Sequence, residues 1–220
     1  MTRIALPASA LFVGSVLLAA CGGTTQPTPV QDLANKGGNT AAQCDAAAYP
    51  CGPYGFQPSP SPEIPGSVIA NLTLSGKKNS TGAISEIKLS DYYQNKNIKV
   101  LVMTSSAEWC GPCKAEQPGL VKLYNDHGGA NGTVAILGAV VQANDGSPST
   151  EAVLDRWAKA YKIPFDLAID PAEALAPYYD LSAFPMQMVI RTSDMRITFQ
   201  QNGLDEAHLN AAVEAVLAAP

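Results

Sequence analysis

The feature that most constrains this chain is a pair of cysteines, Cys110 and Cys113, with two residues between them. An apolar run at residues 98–103 predicts a strand just before the pair, and a helical pattern follows from about residue 113 to 126. A helix N-terminus lowers a thiol pKa, because the helix dipole and the free N–H groups favour the thiolate. The thiolate is the species that attacks a disulfide. The sequence therefore predicts a redox-active dithiol at the turn between strand and helix.

The alternative for two cysteines at this spacing is half of a zinc site. Zinc needs two further ligands at suitable spacing. The two histidines of the chain, His127 and His208, stand in no recognisable ligand pattern. We therefore expect no metal, and no cofactor other than the redox-active disulfide itself.

The first 20 residues have the features of a secretory signal. Arg3 is the only charged residue before Cys21, and residues 4–20 are apolar or small throughout. The segment is too short and ends too abruptly for a comfortable membrane-spanning helix. Residues 18–21 resemble the bacterial lipobox, in which the cysteine becomes the lipidated first residue of the mature protein.

The lipobox resemblance implies a protein of the bacterial cell envelope that is lipid-anchored through Cys21 and faces the periplasm. Gly22, which follows the cysteine, favours the outer membrane where such sorting rules apply. An uncleaved N-terminal anchor is the alternative. In either case we expect the folded part to lie outside the cytoplasm, attached to the membrane without spanning it.

The charge of the chain argues against nucleic acid as a partner. There are 14 basic and 19 acidic side chains, which give a formal net charge of −5. Nucleic-acid-binding proteins carry a basic surface that neutralises phosphates, and anionic lipids attract polybasic segments in the same way. We expect neither kind of surface, and we expect the lipid anchor to provide the membrane contact.

Composition divides the chain into a signal peptide at 1–20, a flexible tether with an entry segment at 21–66, and a globular domain at 67–220. The tether is rich in Gly, Thr, Gln, Pro and Asn and has no periodic apolar pattern. Cys44 and Cys51 lie in the entry segment. Since an exported compartment permits disulfides, we expect these two to form a structural disulfide. A second redox pair that exchanges with the first is the alternative.

Strands and helices alternate from residue 68 onward, which predicts an α/β fold. Apolar and polar residues alternate on both sides of a turn near residues 77–82, which predicts a β-hairpin. The apolar run at 134–141 predicts a strand buried on both faces of a sheet covered by helices. The other expected elements are helices at 150–161, 172–179 and 209–217 and strands at 165–169, 186–191 and 197–200.

Three motifs give the chain a resemblance to a known family. Residues 109–113 match the active-site pentapeptide of thioredoxins, residues 113–118 match a C-x-x-E-x-P continuation, and residues 179–185 match a segment that ends in a cis-proline. Over about residues 68–218 the chain resembles the TlpA/ResA group of exported, membrane-attached thioredoxin-like reductases. The resemblance implies a protein-disulfide oxidoreductase with a thioredoxin fold. In that fold a mixed central sheet is flanked by helices, here with the β-hairpin as an N-terminal extension.

Thiol chemistry assigns roles to the residues of the pentapeptide. Cys110, the more exposed thiol, is expected to be the nucleophile, and Cys113, one helical turn deeper, is expected to resolve the mixed disulfide. Pro112 removes an N–H donor and stiffens the turn, and we expect it to contact substrate. Trp109 is expected to lie against the site, although a core aromatic residue is the alternative.

The segment that ends at Pro185 is expected to form the other side of the site. A cis bond before Pro185 is implied by the family match, although an ordinary trans-proline before a strand is the alternative. The cis bond turns the peptide groups of Phe184 towards the sulfurs, where they can pair with a substrate strand. Phe184 is bulkier than the Thr or Val often found at this position, so a narrower substrate groove is expected.

The proton acceptor for the resolving cysteine is an open question in the sequence. Thioredoxins carry a buried Asp six residues before the first cysteine, and Thr104 stands there in this chain. Glu108 and Glu116 are carboxylates close in sequence to the thiols. Either can assist proton transfer, and a solvated surface position is the alternative for each.

Three other functions compete with thiol–disulfide exchange. Thiol peroxidases of the same fold carry Pro-x-x-x-Thr-x-x-Cys at the nucleophile, a pattern that residues 103–110 lack. Copper-delivery lipoproteins of the Sco type use Cys-x-x-x-Cys with a distant His, and no His lies near Pro185. A docking module with a vestigial dithiol is the third. The intact pentapeptide favours exchange, with disulfide-containing exported proteins as substrates and a membrane thiol reductase as electron donor.

Overall fold

A computed structural model describes residues 47–52, 54–55, 58, 66–178 and 183–219 of the chain. Seven strands and four α-helices lie in these ranges. The strands are β1 (Thr73–Lys77), β2 (Ser85–Lys88), β3 (Val100–Ala107), β4 (Val134–Gln142), β5 (Asp166–Ile169), β6 (Met186–Arg191) and β7 (Arg196–Asn202). The helices are α1 (Leu89–Gln94), α2 (Gly111–Asp126), α3 (Glu151–Tyr161) and α4 (Glu206–Ala218).

All seven strands form one mixed sheet in the order β2-β1-β5-β4-β3-β6-β7. The central strands β3, β4 and β5 run parallel to one another, and the other neighbouring pairs are antiparallel. β3 is buried along its whole length, as its unbroken apolar run requires. This architecture confirms the predicted thioredoxin-like fold, with a mixed sheet flanked by helices and β1–β2 as an N-terminal hairpin.

The two faces of the sheet are covered differently. Successive residues of a strand point to opposite faces, so Val100 and Val102 pack with α2, α3 and α4. Leu101 and Met103 belong to a second core cluster, which is covered by α1, by a 3-10 turn at Ala176–Tyr178 and by the entry segment. The three long helices therefore share one face of the sheet, and the active-site cysteines lie on that face.

Local structure differs from the sequence prediction at two places. The alternation assigned Leu89 to the hairpin, but Leu89 begins α1, which turns Leu89 and Tyr92 into the core. In place of the helix predicted at 172–179, the described residues up to 178 contain only the 3-10 turn. The Asp170 carboxylate accepts two backbone N–H groups of this segment and so holds it in a capped turn.

Part of the predicted entry segment packs onto the domain. Tyr49 is almost fully buried, and its hydroxyl donates a hydrogen bond to the Ile69 carbonyl oxygen at 2.8 Å. The Tyr49 ring lies edge-to-face against Tyr93. The folded core therefore includes residues on the N-terminal side of the predicted domain boundary.

The predicted signal peptide and the predicted lipidation site Cys21 lie outside the described residues, as does Cys44. Cys51 is disulfide-bonded. The Cys44–Cys51 pairing therefore stays a prediction. Within the described ranges, no helix combines the length and the apolar character that a membrane span requires.

Truncation of Tyr49 is expected to destabilise the domain. Tyr49→Ala removes a buried aromatic ring, and such a change lowers the free energy of unfolding by about 3–5 kcal/mol. Tyr49→Phe keeps the ring but leaves the Ile69 carbonyl without its donor, for an expected loss of about 1–3 kcal/mol. Denaturant midpoints followed by circular dichroism measure both losses. Equal stability of Tyr49→Ala and the wild type would show that the entry segment is not part of the core.

Candidate active site

The dithiol lies where the central strand meets a helix. β3 ends at Ala107 and α2 begins at Gly111, two residues earlier than predicted, so Cys110 occupies the N-cap position. The backbone N–H of Cys113 donates a hydrogen bond to the Cys110 sulfur at 3.1 Å. The two cysteines form a disulfide with a Cα–Cα distance of 5.3 Å. The predicted pair is thus assembled at a helix N-terminus, where backbone donors stabilise a thiolate.

Both cysteines are more enclosed than the sequence indicated. Cys110 is 3% exposed and Cys113 is 0% exposed, so the expected difference in exposure is present but small. Both belong to the core cluster under α2, α3 and α4. Pro112 lies in the first turn of α2, where a proline sacrifices no helical hydrogen bond. An incoming disulfide must therefore approach Cys110 closely, through the surface groove that it lines.

This dithiol groove has a volume of about 570 Å³ and an aromatic wall. Trp109 is 45% exposed, and its indole N–H donates to the Gln142 side-chain oxygen at 2.8 Å. Its ring meets the Phe184 ring edge-to-face, with centroids 5.9 Å apart. Trp109 therefore lies against the site, as predicted, beside an apolar surface that suits a bound peptide. Among the described residues, the groove is lined by Trp109, Cys110, Gly111, Pro112, Gln142, Glu173, Ala183 and Phe184.

The peptide bond between Phe184 and Pro185 is cis, as predicted. Pro185 immediately precedes β6, and the register of the sheet pairs Met186 with Ser105 of β3. The Pro185 carbonyl oxygen accepts a hydrogen bond from the Gly203 N–H at 2.7 Å. The register brings this segment to the end of β3 that leads into the dithiol, and Phe184 lines the dithiol groove.

Glu108, predicted as a catalytic carboxylate, is engaged by other groups. Its two oxygens accept hydrogen bonds from the Arg156 guanidinium, each at 2.9 Å, and one of them also accepts the Asn144 N–H at 3.0 Å. The hydrogen bonds from Arg156 hold the pKa of Glu108 below its ordinary value. Glu108 lines a separate hollow with Arg156. We interpret Glu108 as a positioning residue that ties the Trp109 turn to α3.

Glu116 is the buried carboxyl group of the site. It lies on α2 one turn after Cys113 and is 0% exposed. Its oxygens accept hydrogen bonds from Gln187 at 2.6 Å, from Ser106 at 3.2 Å and from Gln117 at 3.3 Å. Burial raises the pKa of Glu116 to about 8, because desolvation outweighs these three donors. A carboxyl group with this pKa can take up or release a proton near neutral pH.

The partners of Glu116 were not identified from the sequence. Gln187 sits in the apolar strand β6, in register with buried Thr104 of β3, and Ser106 lies two residues further along β3. From Gln187 the network continues to Gln201, whose amide donates to the Gln187 side chain. The sequence contains one indication of this network, which is the polar residue Gln187 inside an apolar strand, because buried polar groups need partners.

The segment that follows Cys51 joins the sheet at the end opposite to the dithiol. The entry segment that holds Cys51 joins the sheet through Val68, which bridges Arg196 at the start of β7. This end of β7 pairs with β6, which in turn pairs with the first residue of β3. Cys110, by contrast, comes after the last residue of β3. β3 has eight residues, and a strand of that length spans about 25 Å. Direct exchange between Cys51 and the dithiol of the same molecule would have to cross this length of the sheet, and the structural role of Cys51 stays a prediction.

The two histidines contact carboxylates and do not line the dithiol groove. His127 follows the C-terminus of α2 and lies 3.3 Å from Glu214, and His208 on α4 lies 2.6 Å from Asp205. In the described part of the chain, no group of three or more His, Cys, Asp or Glu side chains is placed to hold a metal ion.

Replacement of Glu116 by Gln is expected to change the pH dependence of stability. The folded-state pKa of about 8 lies above the unfolded value of about 4.3. Between the two values the folded protein binds one more proton than the unfolded chain, so the free energy of unfolding falls as pH rises. Glu116→Gln removes this loss, on the order of a few kcal/mol between about pH 5 and 8.

Urea midpoints of the wild type and Glu116→Gln across this pH range measure the difference. Glu86→Gln changes an exposed carboxylate on β2 and serves as the control, with the wild-type slope expected. Parallel curves for Glu116→Gln and the wild type would contradict the raised pKa.

Comparisons with solved structures find the same fold in other bacterial proteins. A secreted thiol-disulfide isomerase from Corynebacterium glutamicum is 15% identical, with a TM-score of 0.58 over 76% of this chain and 99% of that chain. A putative thiol:disulfide interchange protein DsbE from Chlorobium tepidum is 20% identical, with a TM-score of 0.53 over 70% of this chain and 98% of that chain. An exposed lipoprotein thioredoxin from Streptococcus pneumoniae is 25% identical, with a TM-score of 0.50 over 66% of this chain and 99% of that chain.

These solved structures share the thioredoxin-like fold described above. A comparison with curated proteins found no match. The AhpC/TSA family matches residues 65–197, a range that holds the dithiol, the cis-proline and β1 to β6. Because this match spans more than half of the 220 residues, the chain belongs to the AhpC/TSA family.

Proposed function

We propose that this protein is a thiol–disulfide oxidoreductase of the TlpA/ResA group that reduces disulfides of exported proteins. One observation carries the proposal: the Cys110–Cys113 pair caps α2 and opens onto a groove with an aromatic wall. The cis bond before Pro185 at the start of β6 adds the second feature that the family resemblance implied. Solved structures named as thiol–disulfide proteins share this fold, which supports the same class of reaction.

The first step joins the protein to its substrate. The Cys110 thiolate of the reduced protein attacks one sulfur of a substrate disulfide, whose S–S bond breaks as a mixed disulfide forms. The other substrate cysteine leaves as a thiolate. The Cys113 N–H, 3.1 Å from the Cys110 sulfur, stabilises the attacking thiolate. Phe184 and Pro112, on the dithiol groove, are proposed to contact the substrate segment.

The second step releases the substrate. Cys113 loses its proton and attacks the Cys110 sulfur, the mixed disulfide breaks, and the remaining substrate cysteine leaves as a thiolate. Two electrons have then passed from the dithiol to the substrate, which takes up two protons. Glu116 is proposed to accept the Cys113 proton, directly or through one water, because residues three apart share a helix face. Its pKa of about 8 suits transfer near neutral pH.

Return to the dithiol state requires an electron donor, and we propose a membrane thiol reductase. The sequence up to Cys21 supports export and lipid anchoring on the periplasmic side of a bacterial membrane. Two of the matched structures are named as a secreted protein and as an exposed lipoprotein, which supports the same location.

Serine at each cysteine is expected to separate the two steps. Cys110→Ser removes the nucleophile and should abolish reduction of insulin disulfides. Cys113→Ser leaves the attack intact but prevents resolution, so mixed disulfides should accumulate and migrate as larger species on non-reducing gels. Equal trapping by the two variants would show that their roles are wrongly assigned.

The wild-type protein used as the control in that assay also separates the competing functions. Peroxide consumption that matches insulin reduction in rate would favour a thiol peroxidase. Stoichiometric copper(I) binding by the reduced protein would favour copper delivery. We expect insulin reduction to be the dominant activity, since residues 103–110 lack the peroxidase pattern.

Loss of the Glu116 carboxyl is expected to slow the second step selectively. Reduced protein mixed with dithionitrobenzoate releases one thionitrobenzoate as Cys110 attacks and another as Cys113 resolves the mixed disulfide. In Glu116→Gln the first release should keep its rate, and the second should slow by about 100-fold near pH 7, a typical contribution of a general base. The deficit should narrow above the ordinary cysteine pKa of about 8.5, where the Cys113 thiol ionises without a base. Equal slowing of both releases would mean that Glu116 acts on the site as a whole.

A further inference from the structure

Glu173 is the one charged side chain among the described residues that line the dithiol groove. The rest of this lining is apolar or neutral, with the aromatic wall of Trp109 and Phe184 and the Gln142 amide beside it. A carboxylate next to aromatic rings is less screened by water than one on an open surface. The dithiol groove thus combines an apolar wall with a negative charge.

A capped turn after β5 holds Glu173 in place. The Asp170 carboxylate, in a residue that is 2% exposed, accepts the N–H groups of Ala174 at 2.7 Å and Leu175 at 3.1 Å. The Glu173 N–H donates to the Asp170 carbonyl oxygen at 3.0 Å. Glu173 itself has a φ of 51°, in the left-handed region that residues with a Cβ rarely adopt. Such a backbone persists where its surroundings over-determine it, often at ligand-binding positions.

The charge of Glu173 is not neutralised by the protein in the part of the chain that the structure describes. None of the ion pairs there involves its carboxylate. The basic residues beside the site, Lys114 and Arg156, line the separate hollow with Glu108, where Arg156 is already paired. A cation supplied by a substrate can therefore pair with Glu173 without displacing another.

We propose that Glu173 selects substrates in which a lysine or arginine stands next to the reducible cysteine and an apolar residue faces Trp109 and Phe184. This inference rests on the proposed function and names the substrate class of the same site. A lysine or arginine side chain has a long apolar stem, which suits the apolar lining of the dithiol groove, and carries its charge at the far end. Because Glu173 and Cys110 line the same groove, this charge can meet Glu173 while the substrate sulfur meets Cys110. Opposite charges favour the encounter and fix its register.

A double-mutant cycle on the reduced, full-length protein tests this selectivity. The substrates are two synthetic peptides with one internal disulfide, which differ only in Lys or Gln beside the first cysteine. The second-order rate constant of single-turnover reduction is measured for wild type and Glu173→Gln by thiol alkylation and chromatography. A neighbouring lysine also makes the leaving thiol more acidic. For each protein, the rate constant for the Lys peptide is divided by that for the Gln peptide, and the wild-type value is then divided by the Glu173→Gln value. The effect on the leaving thiol is common to both proteins and cancels in this ratio of ratios.

We expect the preference for the Lys peptide to be about five-fold larger in the wild type than in Glu173→Gln, as for a partly exposed ion pair. It should diminish as salt screens the charges, and in Glu173→Lys the preference should fall below that of Glu173→Gln. Glu86→Gln, an exposed change on β2, serves as the matched control and should keep the wild-type ratio.

Two results would overturn the role of Glu173 and leave the oxidoreductase intact. One is a ratio of ratios near one, with the Gln peptide reduced normally by the wild type. The other is a wild-type preference for the Lys peptide that salt does not change, a measurement that requires no variant to fold. If the wild type reduces neither peptide, the proposed function itself fails.

Discussion

The pairing of β3 on both of its edges is the constraint on which the site depends. β3 is fully buried, with β4 parallel on one side and β6 antiparallel on the other, so its carboxyl end is fixed relative to both neighbours. The register with β4 shifts between Ser106 and Ala107, where β4 contributes one extra residue. The chain then turns into the Cys110 cap of α2. The same pairing places Pro185, just before β6, beside the outgoing turn.

The burial of Glu116 opposes stability, and this makes it informative. A carboxyl group inside a core is desolvated, and an apolar side chain of similar volume often packs there at least as well. Here Ser106, Gln117 and Gln187 all donate to it, yet burial still raises its pKa to about 8. Shifts of this size cluster at functional sites, where the protonation state must change during the reaction. Buried Thr104 leaves the strand without an acid, so the facing helix supplies the titratable group.

Local sequence patterns predicted those features that depend on neighbours along the chain. The strand, the Cys-Gly-Pro-Cys turn, the helix and the hairpin belong to this class, and the cis bond at Pro185 followed from the family resemblance. Contacts between distant residues could not be predicted from a single sequence. Glu108 and Arg156 are 48 residues apart, and Glu116 and Gln187 are 71 apart. Whether a carboxylate is catalytic, structural or solvated depends on such partners, which is why the sequence left Glu108 and Glu116 undecided.

The dithiol groove lies where three parallel strands end, and each strand contributes a lining residue at or after its last residue. Trp109 follows β3, Gln142 is the last residue of β4, and Glu173 lies in the turn after β5. In α/β sheets, ligands bind outside the carboxyl ends of the strands, because connections there can vary without disturbing the core. The two cysteines and Glu116 are buried at the start of α2. The aromatic wall and the Glu173 charge lie instead on the segments that follow the strands, at the surface of the groove. Substrate choice can therefore change through these surface residues while the dithiol and Glu116 remain as they are.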